Sequence, residues 1–488
     1  MLHYRRFKRF QRLLPPGTGL SVRLSIVRPL KIESAGVIFL SWGMALLAKE
    51  DGCLPRPRFF AGERQEAHGY FSCSTLQFGR RISKGLGARG LTALNLAILV
   101  YNFIHGTGLM VGMGGATKFT VCKSQGDREL VDKIFTNTLY FALLFSAAFM
   151  APGFFCSREL ALILGADSAV LEMTTTYLKW LLLFSPAFIL NDVLLCFVRN
   201  DSAPQISMWA MVIGSFSNVV LDYLFIFPLH MGIFGAIFAT GISPVISILM
   251  MSPHWRSHKN SFHFVPTGIS MKILKWDLSL GFPSLIGQIS SGIVMITFNS
   301  IILKLEGNIG VAAYGVIAKI SLVVVAIFTG IAQGAQPLLS RFYGEGNRKQ
   351  IQTILGCAVC TCLELSGIIY GLIFVFAQPV AAVFNSECNV KLQAIAVTGL
   401  KLYFISSPFV GYNTILATFF TSVERAFPAH VLSVLRGLVL VIPAAFFLSF
   451  LWEMPGVWLT YPAVELFAAL LGFVLYKNER RKERMYEG

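Results

Sequence analysis

Eleven stretches of this chain are apolar, close to the length of a membrane crossing, and separated by little: 91–117, 134–155, 170–198, 204–228, 232–252, 279–303, 311–340, 350–378, 391–420, 428–452 and 455–476. Hydrocarbon holds no water to receive a backbone N–H or C=O. A segment of ~20 such residues is therefore stable there as a helix bonded within itself. Composition agrees: the chain is 55% hydrophobic and 14% charged, against roughly 45–50% and 25% in soluble domains. The pattern predicts an all-α polytopic membrane protein with no extramembrane domain between its spans.

The net charge of +16 does not form a nucleic-acid patch. Residues 1–90 hold 16 of the 41 Lys and Arg against 5 acids, and the remainder holds 25 against 20. Much of that remainder lies in short loops that alternate in character. KFTVCKSQGDRELVDK (118–133), FVRNDSAP (197–204), HWRSHKN (254–260), SRFYGEGNRK (340–349) and the tail YKNERRKERM (476–485) are basic. The connections near Asp167, at PLHM (228–231), at NSECN (385–389) and at Glu453 are not. Basic loops stay on the cytoplasmic side, so the C-terminus is expected inside, in a multi-pass protein of the cell membrane.

The two halves repeat. A shift of 220 places Gly90, Ala93, Gly114, Gly126 and Arg128 on Gly310, Ala313, Gly334, Gly346 and Arg348. A shift of 222 places Ser185, Pro186 and Asn191 on Ser407, Pro408 and Asn413, and a shift of 224 places Pro204 and Gly232 on Pro428 and Gly456. An even number of spans per copy gives both copies one orientation, related by an axis along the membrane normal with a cavity between them. The expected organisation is a basic N-terminal segment (1–81), an N-lobe (82–252), a cytoplasmic linker (253–278), a C-lobe (279–476) and a basic tail (477–488).

One acid stands inside an otherwise lipid-soluble segment. Asp222 lies in the last third of a helix expected to start at Pro204, behind Asp201 and Ser202, and to end near Pro228. A mid-membrane carboxylate is expensive and by default a functional candidate. Asn218, four residues earlier, shares its face. Thr240 on the next helix lies four residues before Pro244, which leaves the Thr240 carbonyl without its usual donor. Carboxylate, amide, hydroxyl and carbonyl are oxygen ligands suited to a hard cation such as Na+, and a proton would neutralise the same acid. A structural polar cluster tying two helices together is the alternative.

Among the other polar residues in the spans, Glu465 is either a second protonatable or cavity-facing group or a partner of Arg436. Glu364 is either structural or cavity-lining. Lys179 and Lys401, at equivalent positions, read as snorkelling side chains, and Lys319 faces a cavity or a lipid. Pro186, Pro337 and Pro408 are expected to kink their helices. The run GTGLMVGMGGA (106–116) is a close-packing surface and not a phosphate loop, since no Gly-Lys-Ser/Thr follows. Cys357, Cys360 and Cys362 cluster on an apolar helix, where small buried hydrophobes explain them better than a metal site.

From about Ile82 the chain resembles the multidrug and toxic compound extrusion (MATE) transporters. The resemblance is carried by GLTALNLAILVYNFIHGTGLMVGMGGATKFT (90–120), QGDRE (125–129), FVRNDSAPQISMWAMVIGSFSNVVLDYLFIF (197–227), MGIFGAIFAT (231–240), GFPSLIGQISSGIVMITFNSIILKLEG (281–307) and GIAQGAQPLLSRFYGEGNRK (330–349). It implies two parallel six-helix lobes and export of amphipathic organic cations coupled to H+ or Na+, with no other cofactor. It also implies that Asn218, Asp222 and Thr240 match the N-lobe cation site of the archaeal and DinF-like members. A polar residue of the preceding helix, Asn191 or Asp192, is expected nearby; Asn191 is favoured because Asn413 is its repeat mate. The family's further aspartate, on the first helix, falls near Gly79 and has no counterpart here. The acids of the norfloxacin-efflux branch are also missing: the C-lobe offers the neutral Gln288, Ser290, Ser291 and Asn413, and LVLVIPAAFF (438–447) stands opposite Asn218 and Asp222.

The first helix is the departure. Its expected place, 59–83, carries Glu63, Arg64, Glu66, Arg80 and Arg81, too many charges for a span at about 2.5–3.5 kcal/mol per central charge. The apolar piece at 35–48 is short. Residues 1–81 are expected to be either a misframed start or a basic membrane-surface extension, with ISKGLGARGLTALN (82–95) a loop. The expected partners are small organic cations and the bilayer, without nucleic acid, for a monomer. A flippase for lipid-linked saccharides would favour a strongly basic cavity, and the spans hold few arginines apart from Arg436. A product that lacks its first helix and does not transport is a further alternative. No HExxH or Gly-x-Ser-x-Gly marks an enzyme.

Overall fold

Polar ends and apolar middles make this chain a series of long helices. The computed structural model describes the backbone of residues 66–256, 260–385 and 389–485. Residues 1–65, which include the apolar piece at 35–48 and most of the expected N-terminal segment, lie outside the described residues. The first half comprises α1 (Glu66–Gln125), α2 (Arg128–Phe155), the short α3 (Ser157–Ile163), α4 (Leu171–Leu183), α5 (Ser185–Asn200), α6 (Pro204–Ile226) and α7 (Gly232–Arg256). The second comprises α8 (Met271–Gly344), α9 (Arg348–Phe384), α10 (Val390–Tyr403), α11 (Ser407–Ser422), α12 (Ala426–Val434) and α13 (Val441–Met485). There is no strand among the described residues.

Among the described residues, eight helices are long and apolar enough to cross a membrane, and the pair α4–α5, bent by 46°, makes a ninth. Two of these runs contain a second crossing. The first breaks at Gly307 (φ 64°, ψ −155°) within α8. The second breaks at Glu453 (φ 52°, ψ −129°) within α13. Divided there, the described residues make eleven crossings, one for each apolar stretch.

The repeat is visible in the backbone. Gly126 (φ 86°) and Gly346 (φ 70°) each turn the chain in the left-handed region, where a residue without Cβ meets no steric penalty. Each is followed by a side chain that caps the next helix: Asp127 accepts from the Leu130 N–H, and Asn347 from the Gln350 N–H. Farther on, Pro186 and Pro408 both stand in the first turn after a break. Each half has its own apolar core, around Phe141, Phe188 and Phe197 in one and Phe298, Phe328 and Trp458 in the other. Large apolar side chains such as Phe155, Phe446 and Phe450 point outward, as suits a lipid surroundings.

One expectation needs correction. Residues 82–95, read as a loop, are helical and continuous with the rest of α1; the segment has glycines but no proline, and a glycine weakens a helix without removing a hydrogen bond. Pro337 lies inside α8, whose non-helical position is Gly307. The helix is braced around Pro337, where Gln336 bonds Thr117 and Gln333 receives Arg199. Neighbouring helices of this kind are what let a membrane helix tolerate proline.

The glycine run of α1 packs on three helices. A Cβ on Gly114 would lie 2.0 Å from the Asp277 carbonyl oxygen, and one on Gly281 would lie 1.7 Å from that of Met110, so α1 and α8 cross backbone to backbone. Gly112 lies against Val193 of α5 and Gly115 against Thr138 of α2.

Candidate functional site

The α6–α7 pair builds the N-lobe cluster. Helix α6 starts at Pro204 as expected, but Asp201 does not cap it. That side chain is buried at the end that carries the basic loops and accepts from Lys123, from His254 Nε2 at 2.9 Å and from the Ser261 N–H at 2.8 Å. Toward the other end, Asn218 Nδ2 stands 3.4 Å from Thr240 Oγ1 on α7, and the Thr240 hydroxyl donates to the Ala236 carbonyl at 2.9 Å. Asp222 Oδ1 is buried and has no hydrogen-bond partner. Tyr177 of α4, itself buried, interacts with both Thr240 and Asp222. Three neutral polar groups thus surround a carboxylate that no cationic side chain neutralises among the described residues.

Asn191 of α5 is buried, with its Oδ1 unpartnered, and no bond joins it to Asn218 or Thr240 among the described residues. Its neighbour Asp192 faces elsewhere: Oδ2 meets His105 Nδ1 at 2.9 Å. Gly108 gives it room, since a Cβ there would lie 2.7 Å from Asp192 Oδ2. The Tyr101 ring covers His105 at 4.4 Å between centroids. This second buried acid was missed as a paired group because its partner is 87 residues away, and sequence periodicity reports only neighbours on one helix.

The C-lobe holds a different arrangement. Glu465 is 1% exposed. Its Oε1 lies 3.2 Å from Arg436 Nε, and its Oε2 accepts from Asn413 Nδ2 at 2.6 Å. Of the two alternatives for Glu465, the structure contains the pairing with Arg436. Arg436 sits in a π-turn, Leu435–Val439, between α12 and α13. Tyr403 and Tyr461 stack beside the pair at 5.0 Å. Glu364 lies on an exposed face of α9 and joins neither cluster. Lys319 and Lys401 lie over Phe384 and Phe374, and Lys179 is exposed.

The lobes touch on the side of the basic loops. Lys118 Nζ lies 2.7 Å from Glu424 Oε1, and Gln336 Nε2 donates to Thr117 Oγ1 at 2.9 Å. Arg199 donates to Gln333. A Cβ on Gly344 would overlap the Ser124 hydroxyl. These contacts hold the two halves together at one end of the molecule.

Comparisons with known proteins agree with this architecture. The sequence model of the MatE family matches residues 79–224 and 283–447, one stretch in each half. The multidrug export protein MepA of Staphylococcus saprophyticus is 24% identical over 392 residues, 79% of this chain and 85% of that protein. The Staphylococcus haemolyticus MepA is 24% identical over 398 residues, covering 80% and 86%. Among solved structures, an outward-facing multidrug resistance MATE family transporter of the MOP superfamily superposes with a TM-score of 0.80 at 22% identity, over 94% of this chain and 97% of that one. A MOP superfamily transporter from Pyrococcus furiosus, described as having a binding pocket of reverse polarity, superposes with a TM-score of 0.76 at 22% identity, over 92% and 96%. With two matched stretches, two repeats and eleven crossings in agreement, the chain belongs to the MatE family of multi-pass membrane transporters.

Proposed function

We propose that this protein is an antiporter that exports amphipathic, mostly cationic molecules across the cell membrane and is driven by inward movement of H+ or Na+. The observation that carries the reading is the half-buried Asp222 carboxylate, whose buried Oδ1 has no partner, beside Asn218, Thr240 and Tyr177. An uncompensated charge in a low-dielectric interior favours whatever neutralises it. A proton or a sodium ion does so, and the oxygens of Asn218 and Thr240 suit the latter; Asn191 on α5 is a further oxygen on the adjoining helix. The name of the Staphylococcus relatives supports drug export.

Alternating access requires two packings of the lobes whose balance a ligand can shift. Contacts among Lys118, Glu424, Thr117 and Gln336 close the side of the basic loops, assigned to the cytoplasm with the C-terminus. Cation binding from outside neutralises Asp222 and lets α6 and α7 repack, which lowers the affinity of the outward-facing cavity for its substrate. Rocking then breaks the cytoplasmic contacts and reopens that side. The protein acts as a monomer, since each lobe has its own core and the cavity lies between lobes of one chain. A saccharide-lipid flippase fits less well, because Glu465 cancels the charge of Arg436.

Proteoliposomes loaded with ethidium test this. Asp222→Asn is expected to reduce gradient-driven ethidium transport at least tenfold under whichever of the sodium or proton gradients drives the unmodified protein. Transport as fast as that of the unmodified protein under both gradients would remove the coupling role.

A further inference from the structure

Both lobes hold a polar cluster on the same set of helices, half-buried in the N-lobe and buried in the C-lobe, but they place charge differently. The repeat aligns Asn413 with Asn191, and a shift of 224 aligns Glu465 with Gly241, the residue after Thr240. Helix α11, the α12 region and the second part of α13 are the C-lobe counterparts of α5, α6 and α7. In the N-lobe the acid comes from α6 and is unpaired. In the C-lobe the acid comes from α13, and the helix equivalent to α6 supplies a cation instead, Arg436.

We infer that Arg436 is a built-in counter-cation that occupies the C-lobe carboxylate and thereby confines ion coupling to the N-lobe, an inference that rests on the coupling role proposed for Asp222. Both oxygens of Glu465 are taken, Oε1 by Arg436 Nε at 3.2 Å and Oε2 by Asn413 Nδ2 at 2.6 Å. The guanidinium has a further contact with Thr414 Oγ1 at 3.5 Å. It cannot release its proton in a protein, so it neutralises Glu465 at every stage of a transport cycle. The groups facing the carboxylate are Arg436 from the π-turn, Asn413 from α11, Tyr403 from α10 and Tyr461 from α13. Arginine is the one cationic group among them. The π-turn is what places it there: an extra residue in the turn re-aims the side chains that follow, a distortion that recurs at functional sites. Asn413 Oδ1 is buried with no partner, so removal of the guanidinium would leave a carboxylate with a spare amide oxygen beside it. Asp222 likewise has an amide residue, Asn218, one turn away on its own helix. Arg436 therefore sets the number of ions coupled per substrate.

The test measures that number. The ion-to-ethidium ratio is read from the gradient at which net ethidium flux reverses in proteoliposomes, using the ion that drives the unmodified protein. Arg436→Gln is expected to raise the ratio about twofold, and adding Glu465→Gln to it should restore the original ratio. An unchanged ratio in an Arg436→Gln protein that still transports overturns the inference. If Arg436→Gln does not fold, the double variant decides, since it replaces the ion pair by two neutral amides. It is expected to keep ion-driven export at the original ratio, and loss of ion drive would show that Glu465 itself couples. Asp222→Asn in the same assay separates the two ideas. If it abolishes coupling while the C-lobe variants contradict the expectation, the inference alone fails. If it leaves coupling intact, the assignment of coupling to the N-lobe fails and the inference falls with it.

Discussion

The N-lobe and the C-lobe each hold an acid within the same set of helices, on α6 in one and on the counterpart of α7 in the other, and they treat it in opposite ways. Asp222 has neutral neighbours and an unpartnered oxygen; Glu465 is bound on both oxygens, one of them by an arginine. A carboxylate without a partner is open to a cation, whereas a buried ion pair is already neutral.

Stability separates the lobes most sharply. Glu465→Ala leaves Arg436 without its carboxylate and is expected to destabilise the protein by about 3–5 kcal/mol, seen as a large fall in the detergent-solubilised melting temperature. Asp222→Asn breaks no ion pair and is expected to leave that temperature unchanged or raised. Equal losses in both variants would mean that the two acids are scaffold alike. A smaller effect is expected at the edge of the N-lobe cluster. Thr240→Val removes one neutral oxygen, worth about 1 kcal/mol, and should raise the half-saturating cation concentration severalfold, while Thr240→Ser should not. If Val and Ser behave identically, the hydroxyl is not a ligand. The smallest effect belongs to the contact between lobes beside the basic loops. Glu424→Gln weakens a partly exposed pair worth about 0–1 kcal/mol. Cys122 is buried one turn from Lys118 and lies within reach of Glu424, so its labelling by a maleimide should speed up a few-fold in that variant. Unchanged labelling would show that the pair does not hold that side closed.

Much of the architecture was legible in the chain itself. The apolar stretches, the turn at QGDRE with its partner at GEGNR, and the Ser-Pro breaks all depend on residues close in sequence. So does the facing of Asn218 and Asp222, four apart on one helix. Thr240 was reached because a tight connection at Gly232 returns α7 beside α6. The remainder depended on packing between distant segments. Asp201 looked like a flanking residue of α6 and is instead the hub of a buried cluster with Lys123 and His254. His105 carried no signal until α1 was laid against α5. Residues 82–95 read as a loop from the family resemblance, yet nothing there removes a backbone donor.

The sequence alone therefore determined that this protein crosses the membrane as helices, that it does so in two like-oriented repeats, and that one half carries an acid with oxygen-bearing neighbours. Hydrophobic length, loop charge and spacing along a helix are local quantities, and each limits the backbone directly. Only the tertiary structure decided which buried charges are paired. Arg436 meets Glu465, Asp192 meets His105, Lys118 reaches Glu424 across the lobes, and Asp222 meets no cation among the described residues. Electrostatic energy depends on distance in space, and the distance between two helices is set by packing.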